Sequence, residues 1–88
     1  MQTIQKAHIA SNRIVAGDLT TITMLNDDIA RHSFAALTAM KLKAAVRRSK
    51  DDWIAVLEDH EGIMKMYADG YSTEADALAA AKKALAAF

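Results

Sequence analysis

The amino-acid sequence predicts an α+β fold, a three-stranded antiparallel β-meander packed against a C-terminal helix and preceded by one or two N-terminal helices. Three observations predict it. Between Met40 and Arg47 the apolar residues Leu42, Ala44 and Val46 alternate with Lys41, Lys43 and Arg47, the period-two pattern of a half-buried strand. Two more apolar runs of strand length follow, Trp53 to Leu57 and Ile63 to Ala68, each bounded by polar turn residues. From Thr73 the rhythm becomes helical, and Ala, Leu and Lys dominate Glu74 to Ala87.

Taken in order, Thr3 is placed to cap a first helix over Ile4 to Ala16, with Ile4, Ala7, His8, Ser11, Ile14 and Val15 along one side and Gly17 at its end. A hairpin strand over Ile4 to Ile9 is the alternative, with the β-branched stretch Leu19 to Leu25 as its partner or as a connector. Asn26, Asp27 and Asp28 offer a helix N-terminus, because an Asn or Asp oxygen can accept from an otherwise unpaired backbone N–H and negative charge suits that end of the dipole. That helix is expected from Asp28 to Thr38, ending near Ala39, where the alternation with lysine begins.

Ser49 to Asp52 make the first turn of the meander, and His60-Glu61-Gly62 the second, with Gly62 supplying the positive φ of a tight hairpin. Thr73, with Asp76 three residues on, resembles a capping box for the last helix, whose apolar stripe is Leu78, Ala81, Leu85 and Phe88. If Arg48 pairs with Trp53 and His60 with Ile63, one sheet face gathers Leu42, Ala44, Val46, Trp53, Ala55, Leu57, Met64 and Met66 as a core face. The opposite face then holds Ile54, Val56, Ile63 and Tyr67, rimmed by Lys41, Lys43, Arg47 and Lys65. An apolar centre with a charged rim has the form of a partner-binding face.

The chain has 88 residues, enough for one domain spanning 1–88. A domain of that size buries only roughly 60 to 65% of the surface its unfolded chain exposes, so a partner or a second copy is a natural way to complete its core. It has no cysteine, which leaves no disulfide framework or thiolate zinc site. No run approaches the roughly 20 apolar residues of a membrane-spanning helix, and the N-terminus lacks the apolar core of a signal peptide, so a cytoplasmic protein is expected.

Eleven basic and eleven acidic residues cancel. They are segregated, however: Lys41, Lys43, Arg47, Arg48 and Lys50 form a stretch without an acid, whereas Lys65 is the only cation between Asp51 and Asp76. A neutral total gives no general attraction for nucleic acid. The basic stretch leaves a nucleic-acid-binding strand as the alternative reading.

No motif with a catalytic mechanism behind it is present. His8, His32 and His60 fall in three different elements with no second ligand at the short spacing of a zinc site, and the three glycines, Gly17, Gly62 and Gly70, are too far apart for a phosphate-cradling loop. Glu58, Asp59 and Glu61 lack the spacing of a calcium-binding loop. The expectation is a protein with no cofactor, no metal and no catalytic residue.

Two family resemblances sit on the second half. Trp53-Ile54-Ala55-Val56 followed by Asp59-His60-Glu61-Gly62, and Thr73-Glu74-Ala75-Asp76-Ala77-Leu78, resemble the strand ending in Asp-x-x-Gly and the Thr-x-x-Glu-Ala-Leu helix opening of the HicB-like domain, with Ala81, Ala84 and Leu85 at matching places. The likeness spans about residues 40–85, and Glu61 stands where that family usually has proline. It implies an antitoxin-like module of bacterial or phage origin that neutralises a toxin by covering it.

The same half is similar in element order to the double-stranded-RNA-binding domain, with Ser72, Ala80, Ala81, Ala84 and Leu85 spaced as in its last helix. The phosphate-gripping lysines of that family would fall at Thr73, Glu74 and Ala77, which removes the electrostatic reason to hold a duplex.

The function expected is therefore a non-enzymatic regulator or inhibitor that masks another protein: a toxin, a nuclease or a host defence complex, as an antitoxin or a phage-encoded anti-CRISPR-like inhibitor does. Ile54, Val56, Ile63, Tyr67, Lys41, Lys43 and Arg47 are the expected contacts. A homodimer is the other protein partner considered, and Lys41, Lys43, Arg47, Arg48 and Lys50 would serve in the nucleic-acid alternative.

Overall fold

The computed structural model of the protein describes residues 7–17, 19–21 and 26–88. Its elements in chain order are β1 (Ala7–Ala10), β2 (Arg13–Ala16), β3 (Leu19–Thr20), α1 (Asp27–Ala39), β4 (Lys43–Arg48), β5 (Trp53–Glu58), β6 (Met64–Tyr71) and α2 (Glu74–Leu85). The strands form one six-stranded antiparallel sheet in the order β1-β2-β3-β6-β5-β4.

This corrects the expected fold. The meander β4-β5-β6 is half of a larger sheet, and no helix precedes α1 among the described residues. Where a helix over Ile4 to Ala16 was expected, the chain makes the β1-β2 hairpin, with Ala7 opposite Ala16 and Ala10 opposite Arg13. Thr3 to Lys6, the start of that expected helix, and Ile22 to Leu25 lie outside the described residues.

The cause is local. Ser11 and Asn12 both take positive φ, 50° and 62°, the conformation of a two-residue hairpin turn, which asparagine tolerates better than most residues. A helix cannot pass through two left-handed residues, so the apolar spacing of Ile4, Ala7, Ile14 and Val15 never becomes a helical face.

The architecture is a βββα unit used twice. Each half contributes three antiparallel strands and then a helix, and the halves meet where β3 pairs with β6 at Thr20 and Tyr67. The strand order reads the same from either outer edge, which is the topology of an approximate two-fold rotation through that joint. The helices obey it as well: α1 packs on β1 and β2, and α2 packs mainly on β5 and β4.

Both helices begin with a polar cap in extended backbone. The Asn26 side chain accepts from the Ile29 amide at 3.0 Å, and Thr73 Oγ1 accepts from the Asp76 amide at 3.1 Å. Each bond satisfies one of the four amides that a helix start leaves unpaired.

One core lies between the helices and the inner sheet face. Ile14, Ala16, Leu19, Ala55, Leu57 and Met66 from the strands are fully buried against Leu37 of α1 and Ala77, Ala81 and Ala84 of α2. Phe34 and Phe88 close the far side edge to face, with ring centroids 5.7 Å apart. Trp53 and Tyr71, paired across β5 and β6, extend this layer, and the Arg48 guanidinium lies 5.1 Å from the Trp53 ring centre.

Strand β6 carries two irregularities. The register shifts between Trp53 and Ala55, where Gly70 takes φ +88°, and again between Leu57 and Glu58. The second shift corrects the face assigned to Met64, which pairs with Glu58 and is 40% exposed instead of joining Met66 in the core.

Candidate binding surface

Alternation along the strands sends every second side chain to the outer sheet face, and neither described helix lies there. One cross-strand row runs over all six strands: His8, Val15, Thr20, Tyr67, Val56 and Ala45, each directly opposite the next. Tyr67 stands near the centre of this row with 43% of its surface exposed, beside the half-buried Ile54. Val56 is fully buried, so it supports the surface from beneath and presents nothing to a partner.

A charge cluster lies on the same face. Lys43 sits directly opposite Glu58, with Nζ 3.5 Å from its carboxylate. Arg47, four residues along β4, also reaches Glu58 at 3.5 Å and donates to the Gly62 carbonyl at 2.9 Å, so its guanidinium runs along the sheet instead of standing off it. The shared carboxylate is recessed, with its side chain 15% exposed, while the two cations are open to solvent. Exposed pairs of this kind contribute about 0 to 1 kcal/mol each.

The β5-β6 turn is built by Asp59. Its Oδ1 accepts from the amides of Glu61 at 2.9 Å and Ile63 at 3.0 Å, and Oδ2 lies 3.7 Å from Lys65 Nζ. The Ile63 amide does most to lower the pKa of this carboxyl. Burial works against that effect, and the Glu61 amide, Lys65 and His60 add to the lowering. Gly62 completes the turn at φ +80°.

This geometry accounts for the Asp59-x-x-Gly62 pattern that carries the HicB-like resemblance: the aspartate closes the turn and the glycine permits it. Thr73 at the cap does the same for the helix-opening part of that likeness.

Of the expected contact residues, Ile54 and Tyr67 share the outer face with Lys43 and Arg47. Ile63 is 51% exposed, at the end of the sheet where β6 begins. Lys41 is exposed in the connector before β4, and Lys50 in the turn after it. Arg48 points to the inner side, over Trp53.

A groove beside Ile63 went unread in the sequence. The last turns of α1 and the start of β6 enclose about 340 Å³ lined by Ala36, Leu37, Met40, Ile63, Met64 and Lys65, among others. Its only sequence signal was the helix end at Met40, and nothing in the spacing brings Met40 near Met64.

Among the described residues no group of three or more His, Cys, Asp or Glu side chains is placed to hold a metal ion, and no helix is long and apolar enough to cross a membrane. No family model, curated protein or solved structure matches the chain.

Proposed function

We propose that the protein is a non-enzymatic binding module that masks another protein through the outer face of its sheet, as a bacterial or phage inhibitor acting in the cytoplasm on a toxin, a nuclease or a defence complex. The observation that carries this reading is the placement of both helices on one side of the sheet, with Tyr67 exposed at the centre of the other. Aromatic side chains held on a rigid sheet dominate interface energies where they meet a partner pocket. Cations around them raise encounter rates more than affinity.

The charge pairing favours a protein over a nucleic acid as the ligand. Of the five basic residues between 41 and 50, Lys43 and Arg47 share Glu58 and Arg48 lies over Trp53. Phosphate binding draws its energy from cations free to displace counterions, and these three are already engaged.

The test is site-specific photo-crosslinking in the source cell, with a benzophenone side chain at Tyr67 and, as a control, at Ala79 on the exposed side of α2. A discrete protein adduct is expected from position 67 alone, reduced by Arg47→Glu. Adducts to DNA or RNA, or equal adducts from both positions, would overturn the reading.

A further inference from the structure

Three of the large apolar side chains that the described surface exposes gather in one place. Met40, Ile63 and Met64 are 38%, 51% and 40% exposed, and all three line the groove between the end of α1 and the start of β6, with Leu37 as its buried floor. Isolated exposed apolar residues are ordinary, but a cluster of them around a concavity marks a place where an apolar group is received. Two methionines in the wall add adaptability, because an unbranched thioether repacks at low cost.

The groove is held rigidly from one side. Thr21 Oγ1 donates to the Lys65 carbonyl at 2.6 Å, which ties the chain after β3 to the first part of β6 beneath the wall. Its charge has one sign: Lys65 is the only charged side chain among the described residues lining it. The adjacent carboxylate of Asp59, 10% exposed, accepts from two amides through Oδ1 and sets Oδ2 3.7 Å from Nζ of Lys65, whose side chain stays 29% exposed. Lys41, exposed, follows directly on Met40. A helix end ordinarily presents partly negative carbonyls. Here the Met40 amide is shared between the carbonyls of Ala36 and Leu37.

We infer that this groove takes a large apolar side chain from an acidic segment of the partner protein, with the partner's carboxylates set against Lys65 and Lys41. The inference rests on the protein-binding reading above and names the chemistry of what is bound. An apolar anchor supplies the buried contact, and flanking carboxylates select the segment over basic ones, for which Lys65 is repulsive. A second copy of the chain is a poorer occupant, because the surfaces nearest the groove carry Lys41 and Lys65 on both copies.

The experiment labels the methionine methyl groups with carbon-13 in the full chain and titrates blocked pentapeptides. The probes are Phe flanked by two Glu on each side, the same peptide with Lys for Glu, and the acidic peptide with Ala for Phe. With the first peptide the Met40 and Met64 methyl signals are expected to move, while that of Met66, sealed in the core, stays in place. The apparent Kd should be on the order of 1 mM, as suits a single anchored side chain. Ala36→Glu, an exposed position in the groove wall, should weaken this binding by about tenfold or more.

Equal shifts with the lysine or alanine peptide, movement confined to Met66, or no movement at saturating peptide would overturn the groove assignment. Shifts that grow with protein concentration alone would assign the groove to a second copy and overturn it as well. Crosslinking at Tyr67 without any groove signal would remove only this inference. A groove signal without a Tyr67 adduct would remove the sheet-face reading and leave the groove.

Discussion

Helix α1 meets the sheet with Phe34 and Leu37, whereas α2, at the equivalent positions of the second half, meets it with Ala81 and Ala84. The strands beneath them differ as well: β1 and β2 have four residues each and β3 two, against six, six and eight in β4, β5 and β6. An alanine face lets a helix backbone approach its sheet closely, so the second half is held by long strand ladders under a near helix. The first half has little ladder and relies on large side chains from its helix.

The same topology is thus stabilised in two ways, by backbone pairing in one half and by side-chain burial in the other. Residues that a partner would meet follow the same split: Tyr67, Ile54, Ile63, Lys43 and Arg47 all belong to the longer-stranded half.

The largest expected effects test whether the halves are one cooperative unit. Leu57→Ala removes a fully buried side chain from the second half, and Leu37→Ala a nearly buried one from the first; losses of about 2 to 5 kcal/mol are usual for such changes. Because both residues belong to one continuous core, each variant should unfold in a single transition, with Trp53 fluorescence and far-ultraviolet circular dichroism coinciding. A Leu37→Ala protein that loses ellipticity well before Trp53 responds would show two separable units and end the single-core account.

The two halves were also unequally legible in the sequence. Strands of six to eight residues leave a signal long enough to read: Met40 to Arg47 by its alternation and Trp53 to Leu57 as a continuous apolar run between polar turns, which the structure places in β4 and β5. A four-residue strand shows only two periods of alternation, and Ala7, Ile14 and Val15 satisfied a helical spacing equally well. The signal that could have decided was Ser11-Asn12, a polar dipeptide between two short apolar runs, with asparagine at the position suited to positive φ.

The repeat was hidden for a related reason. Its two copies share strand order and capping position but scarcely any residue identities, since Phe34 and Ala81 fill the same place. Nor could local pattern show the β3-β6 joint, which is a long-range pairing carried by Thr20 and Tyr67. The outer face was legible in its residues, Ile54 and Tyr67. Its electrostatics were not, because the pairing of two cations with Glu58 depends on where Arg47 reaches.

Turn and cap substitutions come next in size and compare the halves position by position. Asn12→Ala should cost about 1 kcal/mol, the scale of a left-handed residue with a β-carbon and no local hydrogen bond, whereas Asn12→Gly should cost nothing measurable in denaturant unfolding. If Asn12→Ala is neutral, the β1-β2 hairpin is not what displaces the N-terminal helix. Asn26→Ala and Thr73→Ala should each cost about 1 kcal/mol, and the two losses should add, since the caps lie on different helices.

The smallest effect expected is a pH response confined to one hairpin. Asp59 closes the β5-β6 turn as a carboxylate, and its pKa in the folded protein is lowered by the Ile63 amide above all. A carboxyl whose folded value lies below its unfolded value, about 3.9 for aspartate, contributes stability that is complete above the unfolded value and is lost as pH falls through the folded one. Acidification below about pH 4 should therefore lower the protection of the Glu61 and Ile63 amides relative to their intrinsic exchange rates, because protonated Asp59 is a weaker acceptor for both. The β1-β2 turn, formed by Ser11 and Asn12, has no carboxylate and should not respond. Asp59→Asn should make Glu61 and Ile63 exchange faster at neutral pH and abolish the acid step. If the acid step persists in that variant, or if the Ser11-Asn12 turn loosens over the same range, the response belongs to the whole domain, and Asp59 is not what distinguishes the second hairpin from the first.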